Sequence, residues 1–235
     1  MTDLHSHILP GMDDGAQTPE ESIALLREQA RQGVNTVALT PHFYRGKERP
    51  SMFLERRAEA WQKLQDALAK LPEEERKSLP KLILGAEVAY APGMWEWPEL
   101  QELCYENTKV LLLEMPMGQW NEEMFRQIYN LMSRTGVTPM FAHVERYFRN
   151  REFWRLLDMQ LPMQISASAL LGMFGKKYAC RFLLEQHAIL ITDCHRPQFR
   201  PPNMSKAIAW LQKKHGRSAM KSCIAKTDRV LHEEL

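Results

Sequence analysis

Short apolar segments that favour β-strands alternate along this chain with segments that favour helices. Seven such strand-like segments occur. The alternation predicts an α/β protein with a parallel sheet, because parallel strands need long crossover connections that are usually helices. The predicted strands are Asp3–His7, Val34–Thr40, Leu82–Glu87, Val110–Glu114, Val137–Ala142, Met163–Ser166 and Ala188–Thr192.

Six of the seven predicted strands carry a His, Asp or Glu at or just beyond the C-terminal end. These ends converge on one place only if the sheet closes on itself. The pattern therefore predicts a seven-stranded variant of the (β/α) barrel, similar to a TIM barrel, with its site at the C-terminal ends of the strands. A length of 235 residues suits one such domain, spanning 1–235.

After the sixth strand the sequence predicts a helix over Ala167–Gln186, interrupted near Gly172–Gly175. Two further helices are predicted near the C-terminus, over Met204–Lys214 and Ala219–Glu233.

Composition narrows the class of protein. A net charge of +2 indicates neither a nucleic-acid partner nor a membrane surface. No apolar run approaches the roughly 20 residues that span a bilayer, and no signal peptide is recognisable. Four scattered cysteines do not make a disulfide framework, so we expect a cytoplasmic protein.

The polar residues at the strand ends are of the types that bind metal ions. His5 and His7, two residues apart on one strand, point to the same side of it. An acid directly after an apolar strand, such as Glu87, is costly to bury unless it is paired or bound to metal. The candidate ligands are His5, His7, Asp14, His42, Glu87, Glu114, His143, Asp193 and His195.

Nine candidate ligands exceed what one ion needs. At three to four protein ligands per ion, with carboxylates able to bridge, they suit two or three ions. Histidine and carboxylate ligands without thiolate favour Mn, Fe or Zn, and the residues alone do not choose among these three.

The segments that carry these residues also occur in a characteristic order. They are Asp3-Leu4-His5-Ser6-His7, Asp13-Asp14-Gly15, Thr40-Pro41-His42, Gly85-Ala86-Glu87, Glu114, His143-Val144-Glu145-Arg146-Tyr147 and Asp193-Cys194-His195. In this order they resemble the PHP (polymerase and histidinol phosphatase) superfamily. More closely, the chain resembles the metal-dependent bacterial tyrosine phosphatases of the CpsB, CapC and YwqE type.

This resemblance implies a distorted (β/α)7 barrel with a trinuclear site, usually supplied with manganese. The family pattern assigns one ion to His5, His7, Glu87 and Asp193. A second ion would share Glu87 as a bridge and add Glu114 and His143. A third would take Asp14, His42 and His195.

The resemblance also implies a manganese-dependent protein-tyrosine phosphatase. Its substrate would be a phosphotyrosine protein, in particular a bacterial tyrosine kinase of capsule or exopolysaccharide synthesis. A hydroxide held between two ions would attack phosphorus in line. Arg146 and Arg200 match family positions and have forked donors suited to phosphate oxygens. With His42 and Asp193 they are the residues expected to carry catalysis.

Departures from the family pattern are small. Val144 stands where proline is common, Phe43 where a second histidine often occurs, and Cys194 where a small residue or Met is usual. None removes a ligand. Tyr44 and Arg45, which follow His42, are candidates for the substrate entrance.

Several other functions are compatible with parts of the sequence. Cys194 to Arg200 fits Cys-x5-Arg, the spacing of cysteine-dependent tyrosine phosphatases, but Pro197 removes one of the backbone donors that such a loop needs. The same metal ligands would serve a phosphatase acting on a small molecule such as histidinol phosphate. A metal-bound scaffold without activity is a third alternative. We interpret the tryptophans of the Trp95-Glu96-Trp97 segment, and Trp154, as residues that pack against the protein's own core and not as a surface that binds a partner.

Overall fold

The computed structural model describes residues 1–172, 176–185 and 188–231. Its strands are β1 (Thr2–Asp3), β2 (Thr36–Leu39), β3 (His42–Phe43), β4 (Lys81–Leu84), β5 (Glu87–Ala89), β6 (Val110–Glu114), β7 (Thr138–Phe141), β8 (Met163–Ser166) and β9 (Ala188–Ile191). Its α-helices are α1 (Pro19–Arg31), α2 (Pro50–Ala69), α3 (Glu73–Ser78), α4 (Leu100–Leu103), α5 (Glu122–Thr135), α6 (Arg155–Asp158), α7 (Ala167–Leu171), α8 (Lys176–Glu185) and α9 (Met204–Leu231). Short 3-10 helices cover Met94–Glu96, Val144–Tyr147 and Arg151–Trp154.

The strands form two parallel sheets. One has three strands in the order β1-β2-β4, and the other has six in the order β3-β5-β6-β7-β8-β9. Every strand pair in both sheets is parallel. The predicted α/β class is confirmed, with the strands of the described residues in two sheets instead of one continuous ring.

Two of the predicted strands differ from the observed ones by a short break. The second corresponds to β2, and after a break at Thr40 and Pro41 the short strand β3 continues beyond its predicted end. The third becomes β4 and β5. Pro41 lies in the first break and has no N–H to donate to a ladder. Hydrogen bonds still cross between the neighbouring breaks, from Gly85 N–H to Leu39 O at 3.0 Å and from Glu87 N–H to Pro41 O at 3.0 Å. The next register position sets His42 opposite Glu87.

The first predicted strand is regular only over Thr2–Asp3, but its continuation is held on both sides. Ser6 forms an isolated parallel bridge with Cys194, just beyond β9. Thr40 N–H donates to Ser6 O at 2.9 Å, and Asp193 N–H donates to His5 O at 3.1 Å. The segment that carries His5 and His7 therefore lies between the end of β2 and the residues after β9.

The helices follow the sequence signals at their ends. Asn121 accepts a hydrogen bond from Met124 N–H at 3.1 Å and caps α5, which ends at Gly136 with a φ of 70°. α9 is broken at Gly216, where φ is 85°, in agreement with the two predicted C-terminal helices. The predicted interruption over 173–175 and the predicted helix ends at 186 and 233 lie outside the described residues.

The tryptophan-rich segment packs against the core. Trp95 and Trp97 are partly buried, and the Trp97 ring meets the Phe43 ring edge-on at 5.7 Å. Trp154 is 43% exposed and contacts the Phe182 ring. Among the helices that the structure describes, none combines the length and the apolar character needed to cross a bilayer.

Candidate metal centre

The structure brings all nine predicted ligands into one cluster at the C-terminal ends of the strands. Glu87 opens β5, Glu114 is the last residue of β6, and His143 follows β7 by two positions. Asp193 follows β9, and its backbone bonds to the segment that carries His5. Parallel strands place these ends on one side of the sheets, which is why residues far apart in sequence meet there.

Site A comprises His5, His7, Glu87 and Asp193, the set assigned to the first ion. The Nε2 atoms of His5 and His7 are 3.2 Å apart and lie 3.3 and 3.4 Å from Glu87 Oε2. They lie 3.6 and 3.4 Å from Asp193 Oδ1. Ligand atoms each about 2.1 Å from one ion are themselves about 3.0–3.4 Å apart at angles between square and tetrahedral. Each carboxylate is therefore spaced from the two imidazoles as ligands of one ion are, and His5, His7 and Glu87 form a group whose ligand atoms all lie within 4.8 Å of one another.

Site B comprises Glu87, Glu114, His143 and His42. His143 Nε2 lies 2.7 Å from Glu87 Oε1 and 3.5 Å from Glu114 Oε1. A set of ligand atoms from His42, Glu87 and Glu114 lies within 4.8 Å of one another. Glu87 Oε2 lies near the histidines of site A and near His42 Nδ1, whereas Oε1 lies near His143, so Glu87 contacts ligands of both sites.

Site C comprises Asp14, His42 and His195, the set assigned to the third ion. Asp14 Oδ1 lies 3.7 Å from His42 Nε2 and 3.5 Å from His195 Nε2. His7 also belongs to this group within 4.8 Å, a proximity that the sequence did not predict. Asp14 is 66% exposed in its side chain, so site C opens to solvent, whereas site A is buried.

Unpaired polar atoms in the cluster fit a bound cation. Glu87 Oε2 and His42 Nδ1 lie 2.8 Å apart, yet each is buried without a hydrogen bond of acceptable geometry. Burial of an unpaired acceptor is costly. Burial alone would raise the pKa of Glu87, but the charge of His5 and hydrogen bonds from neighbouring histidines hold it well below its ordinary value. The carboxylate is thus ionised and available as a ligand.

Asp13 orients His7 and was not predicted as a site residue. Its Oδ2 lies 2.7 Å from His7 Nδ1 and accepts from His42 N–H at 2.8 Å, while its Oδ1 accepts from Gly15 N–H at 2.9 Å. Burial opposes ionisation of Asp13, but the charge of His7 and these hydrogen bonds hold its pKa below the ordinary value. A carboxylate on the far ring nitrogen fixes the tautomer in which Nε2 is the free ligand atom. The adjacent pair Asp13-Asp14 was the only signal in the sequence.

Gln164 performs the same role for His5. Gln164 Oε1 lies 2.7 Å from His5 Nδ1, and Gln164 Nε2 donates to the Tyr105 hydroxyl at 3.2 Å. Tyr105 in turn donates to Leu4 O at 2.7 Å. No ligand was predicted on β8, but its residue Gln164 orients the candidate ligand His5. The sequence signal for this role was a glutamine inside an apolar strand, because a buried polar side chain needs a hydrogen-bond partner.

Arg146 and Arg200 converge on the outer oxygen of Asp193. Arg146 Nη2 donates to Asp193 Oδ2 at 2.9 Å, and Arg200 Nη2 donates to the same oxygen. Arg200 Nη1 also donates to His195 Nε2 at 3.0 Å. Burial, together with the charges of His7 and Arg200, lowers the pKa of His195 to about 4, so its imidazole is neutral.

Three residues of the cluster have left-handed backbone conformations. The φ angles are 30° for His143, 53° for Asp193 and 60° for Arg200. Non-glycine residues in this region cost about 1–3 kcal/mol each and persist where the surroundings enforce them. The tertiary structure, and not local preference, therefore sets the direction of these side chains.

The neighbouring residues singled out by the sequence differ in environment. The Tyr44 ring lies 5.3 Å from the His42 ring, whereas Arg45 is exposed. Cys194 is fully buried, and burial together with Asp3 raises the pKa of its thiol to about 12. A buried, protonated thiol is a poor nucleophile, which argues against the cysteine-dependent alternative.

The sequence and the fold match a group of bacterial proteins. The family described as "Capsular polysaccharide synthesis, CpsB/CapC" matches residues 1–232. The chain is 31% identical to the tyrosine-protein phosphatase CpsB of Streptococcus pneumoniae over 98% of both chains. It is 32% identical to the tyrosine-protein phosphatase YwqE of Bacillus subtilis over 92% of this chain and 85% of that one.

Solved structures agree with the sequence comparison. Crystal structures of YwqE from Bacillus subtilis and CpsB from Streptococcus pneumoniae, described as unique metal-dependent tyrosine phosphatases, include a match with a TM-score of 0.79 and 26% identity. That match covers 99% of this chain and 94% of the other. The chain belongs to the CpsB/CapC family, and the predicted resemblance is confirmed.

Proposed function

We propose that this protein is a metal-dependent protein-tyrosine phosphatase. The observation that carries the proposal is the convergence of nine histidine and carboxylate side chains on one place, with two arginines directed at the same carboxylate. The names of its relatives as tyrosine-protein phosphatases support the choice of substrate.

The residues of sites A, B and C are proposed to hold three metal ions, with manganese as the native metal. Carboxylate and imidazole ligands without thiolate suit Mn, and the same ligand types also bind Fe and Zn. When bound, ions a few ångströms apart supply an activated water and neutralise charge on the phosphoryl oxygens. Asp13 and Gln164 keep the ligand atoms of His7 and His5 directed inward, so the site is organised before a metal binds.

Arg146 and Arg200 are proposed to bind and orient the phosphate. Their side chains are 35% and 36% exposed, so the phosphate can reach them. Each guanidinium has five N–H groups and uses only some of them on Asp193 and His195. The remaining donors suit the oxygens of a phosphate monoester.

Tyr44 is proposed to contact the phenyl ring of the substrate. It is partly buried beside His42, and burial together with the charges of Glu114 and Glu87 raises its pKa to about 12. The phenol therefore stays neutral and presents an aromatic face next to the cluster.

We also propose that the two sheets together form a distorted seven-stranded barrel. The hydrogen bonds across the paired strand breaks join the sheets at one seam, and the bridge between Ser6 and Cys194 joins them at the other. In this arrangement β2 with β3, and β4 with β5, each count as one interrupted strand.

The proposed physiological substrate is a phosphorylated tyrosine kinase of capsule or exopolysaccharide synthesis. The family name links the chain to capsular polysaccharide synthesis, which supports this choice.

The proposed function is tested by elemental analysis of the purified protein and by turnover of a phosphotyrosine peptide and of histidinol phosphate. We expect Mn-dependent hydrolysis that favours the peptide and is abolished by a chelator. His42→Ala and Asp193→Ala should lose most activity while retaining the fold by circular dichroism. Preference for histidinol phosphate would favour a small-molecule phosphatase, and no metal and no turnover after Mn addition would favour an inactive scaffold.

A further inference from the structure

A cavity of about 660 Å³ lies beside the metal centre, between residues 117–120 and 146–152. The first wall follows β6, and the second follows β7, so both continue from strand ends that carry ligands. Arg146 lines the cavity and also donates to Asp193, so the cavity adjoins the metal centre at Arg146. We call it the arginine groove.

The walls of the arginine groove are fixed to each other. Asn150 Nδ2 donates to Gly118 O at 3.0 Å across the groove, and the Tyr147 hydroxyl donates to Met115 O at 2.8 Å. The Trp120 ring packs on the Tyr147 ring with centroids 5.2 Å apart. A groove held this way is preformed, which lowers the entropic cost of binding a ligand in it.

The groove is positively charged. Arg149 and Arg151 are exposed on one wall, and neither has an ion pair with any residue in the described ranges. The acidic residue that lines the groove, Glu152, forms an ion pair with Arg155 at 3.1 Å. Arg155, which does not line the groove, also pairs with Glu122 at 2.5 Å. Arg149 and Arg151 are thus left available to a ligand.

We propose that the arginine groove binds Asp and Glu side chains that flank the phosphotyrosine of the protein substrate. The inference rests on the proposed function and deepens it, since it assigns a sequence preference to the same site. Arg146 would direct the phosphate to the metal centre while Arg149 and Arg151 bind acids a few residues away along the peptide. Charge complementarity of this kind contributes to specificity and to the rate of association.

The test compares two phosphotyrosine peptides that differ only in having Glu or Gln at the flanking positions. For the unmodified protein with Mn, kcat/KM should be about fivefold higher for the Glu peptide at low salt, and salt should reduce the difference. The double variant Arg149→Gln/Arg151→Gln should lose this preference and keep its kcat/KM for free phosphotyrosine. Arg149→Lys/Arg151→Lys should retain part of the preference.

A control variant, Lys213→Gln/Lys214→Gln, removes two exposed positive charges from α9 and should keep the preference. The inference is overturned if the unmodified protein treats both peptides alike, or if the control loses the preference equally. It is also overturned if the arginine variant loses as much activity on free phosphotyrosine. If no phosphotyrosine substrate is hydrolysed, the proposed function fails separately. Fluorescence anisotropy with a non-hydrolysable Glu peptide then tests whether the arginine groove binds acidic side chains. Weaker binding by the arginine variant, but not by the lysine control, supports the inference. Equal binding by all three proteins overturns it.

Discussion

His7 Nδ1 and Asp13 Oδ2 lie 2.7 Å apart in a part of the site that is closed to solvent. The contact determines which nitrogen of His7 faces the candidate ions, because the nitrogen held by Asp13 is not free to bind metal. Asp13 also accepts from the backbone of His42, so one carboxylate positions parts of two ligands.

Asp13→Asn tests this arrangement. The amide keeps the shape but loses the negative charge, so we expect Mn affinity or activity to fall about 10- to 100-fold. Isothermal titration of the metal-free protein with Mn measures the affinity directly. Asp66→Asn, an exposed change on α2, is the matched control and should have no effect. Equal affinities for all three proteins would contradict a positioning role for Asp13.

Gly15→Ala tests how closely the first loop packs on His7. A Cβ at Gly15 would lie 2.0 Å from His7 O and 2.5 Å from His7 Cβ, so the backbone of the ligand must move. We expect a stability loss of about 1–3 kcal/mol and weaker metal binding, since overpacking is relieved by displacing neighbours. Thermal unfolding and metal titration check the two effects. Gly46→Ala, where no atom lies within 4 Å of the added carbon, should leave both unchanged.

Metal affinity is expected to depend on pH through His7. Burial alone would lower the pKa of His7, but Asp13 and neighbouring carboxylates raise it well above its ordinary value of 6.5. A metal must displace the proton, so Mn affinity should rise with pH and continue to rise above pH 6.5. Titrations from pH 6 to 8.5 measure the trend.

Removal of Asp13 should shift this dependence. Without the carboxylate, burial favours neutral His7, so the rise in affinity for Asp13→Asn should occur at lower pH than in the unmodified protein. The same pH profile for both proteins would show that the proton on His7 does not limit metal binding.

Cys194→Ser separates the metal hypothesis from the cysteine alternative. The thiol is buried and its pKa is raised to about 12, so it is protonated at neutral pH. We expect activity within about threefold of the unmodified protein, because an unionised thiol contributes no nucleophile. Chelation should abolish activity in both proteins. An inactive Cys194→Ser variant, together with chelator-resistant hydrolysis by the unmodified protein, would refute the proposed mechanism.

Much of the candidate site could be predicted from sequence because the ligands follow strand-like segments. Glu87, Glu114 and His143 lie at or near strand ends, and the topology gathers such residues whatever the details of each strand. The alternation of strands and helices gave the parallel α/β class for the same reason. The exact strand limits were less predictable, since Gly85 lies in a break within the third predicted strand and a further short strand follows Pro41, after the second.

The supporting residues were harder to predict. Gln164 is a polar residue in a strand with no predicted ligand, and only the contact with His5 gives it a role. The directions of His143, Asp193 and Arg200 depend on positive φ angles that local sequence does not favour.

The sequence by itself determined the α/β fold class and singled out the candidate metal ligands, because hydrophobic periodicity and residue chemistry are local properties. The tertiary structure alone decided which of the candidate donor atoms lie close enough to one another to share an ion. It also decided that Asp13 and Gln164 hold the two histidines and that Arg149 and Arg151 face a groove. These outcomes depend on distances between segments far apart in the chain, which follow from packing and not from the order of residues.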